Sequence, residues 1–551
     1  MAGLARLPLF IVLIAVSGMA MLIPAAHATV TGYGEIARIF LFCSVLLIVL
    51  SVLLGVASMG GKGLHETHGR AVLATMLGAL VILPLAMAIP LAMALPDTGI
   101  FNAWWEMVSC LTTTGATLYA ADMLAPPLHL WRSLVGWLGG LFILVTAVAV
   151  LAPLKVGGFE ILSSPYGRSE KFTPLPKSAG GERRTPSQML NLAGNHVTPT
   201  GRALKIAAQV APWYAGLTLA MWVILLLAGD PGLIALCRAM GTLSTSGISP
   251  VPVASGGQAG QLGVHSGLVG EFVVFVFLML ALSRRFWPGG GELRASESLW
   301  DDPEIRLGLG VAVLVALALF ARHFFATIEI TTSQNSIPAG TAISLRNAAV
   351  ATWGGLFNAM SFLTTTGWNS IDWQGARSWS GLQSPGLLLA GLAMMGGGVA
   401  TTAGGVKLLR VYALARQSQR ELDRIVHPAS VAGGGSVARR LRVEGAYLAF
   451  IFFMLFAVSI AVTVLLVSIH QIEFDTAVML SVSALTNTGP LAGTIDLTPS
   501  FEASAGIASN PWEGWSGLAL LPKTVLAGAM IVGRLETLAI LALFTPDFWR
   551  R

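Results

Sequence analysis

The sequence has 551 residues, 54% of them apolar and only 11% charged, with a formal net charge of +6. Because soluble domains carry about 25% charged residues, this composition excludes an ordinary soluble protein and indicates a chain that lies mostly in lipid. Ten apolar runs approach the roughly 20 residues that span a bilayer, which predicts an all-α integral membrane protein of about ten transmembrane helices. The runs are 8–26, 36–58, 71–95, 133–153, 206–228, 268–283, 307–329, 386–415, 444–469 and 517–544.

Lys and Arg residues cluster in alternate loops between these runs, and this placement explains the positive charge without a nucleic-acid partner. The positive-inside rule puts such loops in the cytoplasm, so both termini of this multi-pass chain are expected there. The clusters are Lys62 with Arg70, the segments 155–205, 284–306 and 407–442, and Arg550 with Arg551.

Residues 1–60 hold the first two predicted spans. The first run has a second interpretation, because Arg6, an apolar stretch and the small residues of PAAHATV (24–30) also form the pattern of a signal peptide. Cleavage there would leave the topology of the later spans unchanged. The cysteines lie in apolar segments and show neither a disulfide framework nor a metal-ligand spacing. They are Cys43, Cys110 and Cys237.

One polar signature occurs four times, as LTTTGAT (111–117), LSTSGIS (243–249), LTTTGWN (363–369) and LTNTGPL (485–491). The copies are about 120 to 130 residues apart, which indicates an internal repeat. Each follows a short apolar segment of about ten to thirteen residues, which at 1.5 Å per residue reaches only halfway through a bilayer. We expect pore repeats at 61–165, 203–300, 301–440 and 441–551, with a polar cytoplasmic loop at 166–202.

Each short segment is therefore predicted to be a re-entrant helix with the signature loop at its tip. Backbone at membrane depth is tolerated only inside protein or beside a water-filled cavity, so the four loops most economically share one cavity around a pseudo-fourfold axis. Stacked carbonyls can replace the water around a cation there, and the glycines permit dihedral angles that align them. A single Thr/Gly stretch is more typical of a turn or helix contact, but four equivalent copies favour a filter loop.

These features resemble the Trk/Ktr/HKT superfamily of bacterial cation transporters. The resemblance covers the whole membrane portion, and it includes WLGGLFI (137–143), GGGVATTAGGVKLLR (396–410) and GRLETLAIL (533–541). The two extra N-terminal spans are similar to those of the TrkH type. The resemblance implies potassium as the transported ion, no cofactor in this chain, a homodimer, a cytoplasmic nucleotide-binding regulatory subunit of the TrkA type, and a bacterial inner-membrane location.

Transferred position by position, the resemblance implies a set of ion-lining filter residues. They are Thr113, Thr114, Gly115, Thr245, Ser246, Gly247, Thr365, Thr366, Gly367, Asn487, Thr488 and Gly489. Some relatives with serine at the first glycine pass sodium, so the intact Gly115 favours potassium. Asn487 departs from the threonine of the other three copies. The alternatives are a less selective sodium/potassium transporter and a non-conducting membrane scaffold or sensor.

A glycine-rich stretch inside the eighth apolar run predicts a broken helix. Five glycines within residues 396–405 weaken a helix by about 1 kcal/mol each relative to alanine, although close packing through small residues is the alternative interpretation. The resemblance implies that this stretch and one arginine of the last run form an intramembrane gate. The gate residues are Gly396, Gly397, Gly398, Thr401, Thr402, Gly404, Gly405, Lys407 and Arg534.

Two charged residues complete the candidate site. Arg534 is a functional candidate because a buried arginine is costly in a membrane, and a structural ion pair is its alternative role. Glu106 matches an acidic position of the family's first pore helix and is expected to attract cations at the outer mouth, although loop solvation or helix capping explains it equally well. Because no nucleophile, acid–base pair or phosphate-binding loop is evident, we do not expect an enzyme.

Overall fold

The computed structural model describes residues 8–59, 69–152, 158–159, 199–251, 266–288, 299–333, 345–380, 385–427, 443–470, 472–497 and 512–535. Seven helices within these ranges are long and apolar enough to cross a membrane. They are Leu9–Val30, Gly34–Ser58, Ala74–Ala94, Pro126–Leu151, Thr200–Leu227, Pro303–Arg322 and Gly445–Ser468. Shorter apolar helices lie between them, as the sequence predicts for an all-α membrane protein with re-entrant segments.

The two N-terminal helices pack closely together. The first is Leu9–Ala20, which continues as Leu22–Val30, and the second is Gly34–Met59. The Ser44 hydroxyl donates a 2.7 Å hydrogen bond to the carbonyl of Gly18. A Cβ atom added to Gly18 would lie only 3.1 Å from the second helix, so the small residue sets the distance between the pair.

Repeat 1 contains the helices Gly69–Ala94, Gly99–Leu111 and Pro126–Thr146. In every repeat we call the long helix before the short helix the preceding helix, and the helix after the signature loop the following helix. The following helix of repeat 1 begins with a proline, whose missing N–H is harmless at that position. It continues through the π-helical turn Ala147–Leu151.

Repeat 2 consists of the preceding helix Pro199–Leu227, the short helix Gly232–Leu243 and the following helix Gly267–Leu278. The sequence predicts this following helix as a full span over 268–283, but it has only 12 residues. The chain then turns through residues 279–286, which include two short 3-10 helices and are called the 279–286 turn below. The predicted helix is therefore present but too short to cross a bilayer alone.

Repeat 3 has an interrupted following helix, as the glycine-rich stretch predicts. The preceding helix is Pro303–Ser333 and the short helix is Leu345–Leu363. After the signature loop comes the helix Trp373–Ser380. The following helix is divided into Pro385–Met395 and Leu408–Val426. Residues 396–407, called the intramembrane loop below, are not helical. Four of them have positive φ angles, which an α-helix does not accept. They are Gly396 (+73°), Ala400 (+54°), Gly405 (+74°) and Lys407 (+86°).

Repeat 4 has the preceding helix Val443–Ser468, the short helix Phe474–Leu485 and the following helix Leu520–Leu535. A 3-10 segment, Gly489–Leu497, leads away from its signature loop. The last apolar run is predicted to reach residue 544, and its part beyond Leu535 lies outside the described residues.

Polar residues lie at the centre of the fold and apolar residues cover its outside. No residue of the segments 112–114, 244–246, 364–366 and 486–488 is more than 1% exposed, although nearly all of them carry hydroxyl groups. In contrast, Val56 and Leu227 are 66% and 83% exposed. Lipid chains are as apolar as such side chains and solvate them readily. The helices therefore surround a polar centre, and the signature loops form it.

Candidate functional site

Each short helix ends in the same hydrogen-bonded cap, which gives the signature loop its shape. In repeat 1 the amide of Thr113 donates to the carbonyl of Cys110 (2.9 Å), and the amide of Thr114 donates to that of Ser109 (2.9 Å). This is the Schellman pattern, in which a left-handed residue after the helix helps to satisfy its last carbonyls. The same bonds recur in the other repeats. The left-handed residues are Thr113 (φ +56°), Thr245 (+54°), Thr365 (+58°) and Asn487 (+55°).

Threonine at this left-handed position is unusual, because glycine normally occupies it. A β-branched residue with positive φ is a steric outlier, and residues in such regions cost about 1–3 kcal/mol each. Three of the four loops carry this strain at the same place. Strained backbone persists only where the surrounding structure holds it, and such residues cluster at functional sites.

The hydroxyls on either side of the left-handed residue brace the loop from within. Thr112 donates to the carbonyl of Val108 (2.8 Å), and its hydroxyl oxygen lies 2.8 Å from that of Thr114. These hydroxyl groups therefore have a structural task. The equivalent hydroxyl pairs are Ser244 with Ser246 (2.9 Å), Thr364 with Thr366 (3.1 Å) and Thr486 with Thr488 (3.1 Å).

The four signature loops contact one another in a closed ring. A Cβ atom added to any signature glycine would collide with a neighbouring loop. The nearest atoms are the Ser246 carbonyl oxygen for Gly115 (1.8 Å), the Thr366 carbonyl oxygen for Gly247 (2.1 Å), Pro490 Cβ for Gly367 (2.7 Å) and the Ala116 amide nitrogen for Gly489 (2.2 Å). Loop 1 thus meets loop 2, loop 2 meets loop 3, loop 3 meets loop 4, and loop 4 meets loop 1. Glycine is required because a Cβ atom would displace atoms of the next loop, which are backbone atoms in three cases and the Pro490 ring in the fourth.

The fourth loop closes the ring differently from the other three. The amide of Gly489 donates to the carbonyl of Thr114 in loop 1 (2.6 Å), whereas the other three signature glycines donate back to their own short helices. The side-chain amide of Asn487 donates to the Thr114 hydroxyl (3.0 Å) and to the carbonyl of Met530 (2.9 Å). Loop 4 is therefore tied to loop 1, and the Thr114 carbonyl is satisfied within the protein.

Neutral oxygen atoms, rather than charged ligands, dominate the ring. The described residues hold no group of three or more His, Cys, Asp or Glu that could bind a metal ion. Some buried polar atoms of the loops, however, have no hydrogen-bond partner within the described part of the chain, including Thr113 Oγ1 and Asn487 Oδ1. Buried polar groups normally find a partner, so these two oxygen atoms are exceptions among the buried polar groups of the loops.

Glu106 braces the outer end of loop 1. Its carboxylate is completely buried, and it accepts hydrogen bonds from the amide of Leu118 (2.9 Å) and from Nε of Arg132 (2.7 Å). Glu106 thus lies in a buried ion pair without net charge, and its role in attracting cations at the outer mouth stays a prediction. Asn358 has the equivalent place in repeat 3, nine residues before the signature glycine, and accepts a bond from the amide of Ser370 (2.9 Å).

Glu271 contacts the candidate site, although it is not among the residues predicted from the sequence. It lies buried in the following helix of repeat 2. Its carboxylate accepts hydrogen bonds from the amide of Ile371 (2.7 Å), the hydroxyl of Ser370 (2.9 Å) and the indole of Trp353 (3.0 Å). Glu271 therefore joins repeat 2 to the outer end of loop 3. The available signal was an acidic residue inside an apolar run, which is a candidate by default in a membrane segment.

The intramembrane loop lies against three of the signature loops. The Thr402 hydroxyl donates to the carbonyl of Leu243 at the base of loop 2 (3.1 Å), and the amide of Gly404 donates to the Thr365 hydroxyl in loop 3 (2.7 Å). A Cβ atom on Gly404 would lie 2.1 Å from the carbonyl oxygen of Thr486 in loop 4. The structure thus brings several residues of the glycine-rich stretch against the base of the ring.

The two basic gate candidates have different surroundings. Lys407 donates to the carbonyl of Ala403, so it bonds within the intramembrane loop. Arg534 is only 6% exposed and follows Gly533, whose added Cβ atom would lie 2.2 Å from the carbonyl oxygen of Leu485 at the base of loop 4. Among the described residues, Arg534 Nε and Nη2 have no hydrogen-bond partner. Arg534 is therefore a buried cation beside the base of the ring.

The chain is similar in sequence and in structure to known potassium transport proteins. The chain is 28% identical over 487 residues to the Trk system potassium uptake protein TrkH of Salmonella typhimurium, covering 86% of this chain and 84% of that protein. It is also 28% identical over 461 residues to the Trk system potassium uptake protein TrkI of Halomonas elongata, covering 83% and 79%. The crystal structure of the potassium transporter TrkH from Vibrio parahaemolyticus matches with a TM-score of 0.71 at 24% identity, over 100% of this chain and 99% of that one.

The structural match establishes a common fold. The match to a family model establishes the family. Residues 267–551 match the family model described as TrkH, cation transport protein. This region contains repeats 3 and 4, the intramembrane loop and the following helix of repeat 2, and it makes up just over half of the chain. The chain belongs to the TrkH family of cation transport proteins.

Proposed function

We propose that this chain takes up potassium across the bacterial inner membrane along a central path lined by the four signature loops. The closed ring of loops carries the proposal, because it gathers four equivalent sets of backbone oxygens at the buried centre of a membrane fold. Relatives named as potassium uptake proteins support potassium as the ion. Basic loops on one side support a topology with both termini in the cytoplasm and the signature loops towards the outer side.

The proposed ligands are backbone carbonyls of the four loops, which would replace the water around a dehydrating cation. The short helices end at the ring, and a helix C-terminus carries roughly half a negative charge, which favours a cation. The flanking hydroxyls are engaged within the loops, so carbonyls remain as the main ligands. The Thr114 carbonyl accepts one bond from Gly489, and its second lone pair could still face an ion. The segments involved are 113–115, 245–247, 365–367 and 487–489.

Uptake on this proposal runs down the membrane potential. A potential of about 100 mV, negative inside, is worth roughly 2.3 kcal/mol for each monovalent cation. That energy corresponds to nearly fifty-fold accumulation at equilibrium, since about 1.4 kcal/mol is a factor of ten. No chemical fuel is needed for a gradient of this size.

The intramembrane loop and Arg534 are the proposed gate. The loop bonds to the base of loops 2 and 3 and packs against loop 4, so an ion leaving the ring would meet it. Arg534 would place a positive charge at the same level. We also propose a homodimer and a cytoplasmic TrkA-type regulatory subunit, which the Trk-system names of the relatives support. The helix Leu408–Val426 starts directly after the loop and carries exposed basic residues such as Arg416 and Arg424, which suits a connection to such a subunit.

Flux of rubidium-86 into vesicles that hold the purified chain tests the proposal. We expect uptake that rises when a potassium-diffusion potential makes the vesicle interior negative. Equal competition by sodium and potassium would favour the less selective transporter instead. Absence of flux from folded, correctly inserted protein, both with and without a TrkA-type subunit, would favour the non-conducting scaffold.

Removing Ala400–Ala403 is expected to raise basal rubidium flux at least about tenfold in the absence of a regulatory subunit, equivalent to about 1.4 kcal/mol. The shortened loop can no longer reach both loop 2 and loop 3, so the path below the ring opens. Flux and thermal stability are measured together. Removing four residues from the exposed C-terminal end of the helix Leu408–Val426 is the matched control. Wild-type basal flux in a folded deletion variant would contradict the gate assignment.

A further inference from the structure

Glu304 makes a contact that neither the ring nor the gate candidates explain. It lies in the first turn of the helix Pro303–Ser333, and it is 7% exposed. One carboxylate oxygen accepts a 2.7 Å hydrogen bond from the amide of Val399, a residue of the intramembrane loop 95 positions later in the chain. A buried carboxyl group is costly unless it is hydrogen-bonded, so this bond stabilises the placement of Glu304 against the loop.

A second network holds the start of the helix that carries Glu304. Asp302 caps the helix by accepting the amide of Glu304 at Oδ1 (3.0 Å). Its other oxygen accepts the hydroxyl of Ser283 (2.6 Å) and Nε of Arg285 (3.2 Å). The start of this helix is therefore joined to the 279–286 turn. Because the helix start is held in this way, the carboxylate of Glu304 has a fixed position.

The 279–286 turn contacts the intramembrane loop directly beside Val399. The amide of Gly398 donates to the carbonyl of Ala281 (2.9 Å), and a Cβ atom on Gly398 would lie 2.2 Å from the carbonyl oxygen of Leu282. On the opposite side the loop bonds to the signature loops through Thr402 and Gly404. The intramembrane loop is thus held between the ring and a support made of the 279–286 turn and Glu304.

We propose that Glu304 is a positioning residue that latches the intramembrane loop in its closed place. The inference rests on the proposed function only in taking the loop as the gate. In the structure, the carboxylate binds backbone rather than a side chain, so the contact depends on loop position and not on loop sequence. Opening the gate requires this bond to break. A movement of the helix start or of the 279–286 turn therefore controls how readily the loop leaves the ring.

Loop exposure gives a test that does not depend on transport. Thr401→Cys places a thiol in the buried loop, and its modification by a charged methanethiosulfonate reagent from the cytoplasmic side reports opening. We expect Glu304→Ala to speed modification at least tenfold. Glu304→Gln should give an intermediate rate, because the amide oxygen still accepts the Val399 bond. The three native cysteines are buried, and the chain without the added cysteine is the blank.

Controls and flux separate the latch from the gate itself. Glu421→Ala removes an exposed carboxylate paired with Arg424 and should leave modification and flux unchanged. Basal flux should rise in the order wild type, Glu304→Gln, Glu304→Ala, and Glu304→Ala should add less than twofold in the variant lacking Ala400–Ala403. An unchanged modification rate in folded Glu304→Ala and Glu304→Gln protein overturns the latch. Faster modification without flux in any variant supports the latch while contradicting the proposed uptake.

Discussion

Replacing Gly115 with serine is expected to lower the ratio of potassium to sodium flux by at least about tenfold, or roughly 1.4 kcal/mol. Gly115 has a φ angle of +74°, which disfavours residues with a side chain. In addition, a Cβ atom there would lie 1.8 Å from the carbonyl oxygen of Ser246. This contact is impossible, so the backbone of loop 1 or loop 2 must move. On the proposed function, a displaced carbonyl would no longer match a potassium ion in the ring.

Competition between rubidium-86 and sodium-22 uptake measures this ratio in both variants. Gly32→Ser is the matched control, because Gly32 also has a positive φ angle (+83°) but has no atom within 4 Å of its added Cβ. It therefore adds backbone strain without a collision and lies outside the ring. The assignment of loop 1 to the filter would be wrong if Gly115→Ser kept the wild-type ratio in folded protein.

Replacing Arg534 with alanine is expected to increase flux without loss of stability. A unit charge about 4 Å from a passing cation, at an effective dielectric constant near 20, opposes it by roughly 4 kcal/mol, and pore water reduces this figure. The alternative role is a structural ion pair. No carboxylate within the described part of the chain lies within 4.0 Å of this guanidinium, and Nε and Nη2 have no partner there. The barrier role stays our proposal for Arg534.

Arg132→Ala is the comparison variant, because Arg132, unlike Arg534, has a buried carboxylate partner. Arg132 pairs with the buried Glu106 at 2.7 Å, and removing one member of such a pair costs about 3–5 kcal/mol because the other charge is stranded. We expect Arg132→Ala to lose stability, whereas Arg534→Ala gains flux. Arg534→Lys keeps the charge and should stay near wild type. Lower thermal stability of Arg534→Ala with no gain in flux would assign Arg534 a structural role.

Local patterns in the sequence predicted much of the architecture, although the following helix of repeat 2 is shorter than the predicted span. Four Thr/Gly signatures behind short apolar segments predicted the short helices, and the structure has helices at all four places. Three of them have the expected length, whereas Leu345–Leu363 has 19 residues instead of ten to thirteen. Clustered glycines predicted the interruption of the following helix in repeat 3. Such features depend on a few neighbouring residues, so periodicity and composition reveal them. The roles of the filter and gate residues stay predictions.

Contacts between distant segments could not be predicted in the same way. The bond from Trp353 to Glu271 joins residues 82 positions apart, and the bond from Gly489 to Thr114 joins two different repeats. Glu106 looked like a surface charge because its partner, Arg132, is 26 residues away on another helix. Threonines with positive φ were also hidden, since turn preferences assign that conformation to glycine.

Loop 4 can differ from the other three loops because all four belong to one covalently continuous chain. An assembly of four identical subunits would repeat every side chain at every symmetry-related position, and one substitution would alter all four at once. Here a single polypeptide supplies all four positions, so Asn487 can stand where the other copies have threonine, and its amide can bond both to Thr114 and to Met530. Because the four loops belong to one chain, a substitution in one quarter leaves the sequence of the other three unchanged. Loop 4 can therefore differ in its contacts while the other three share one bonding pattern.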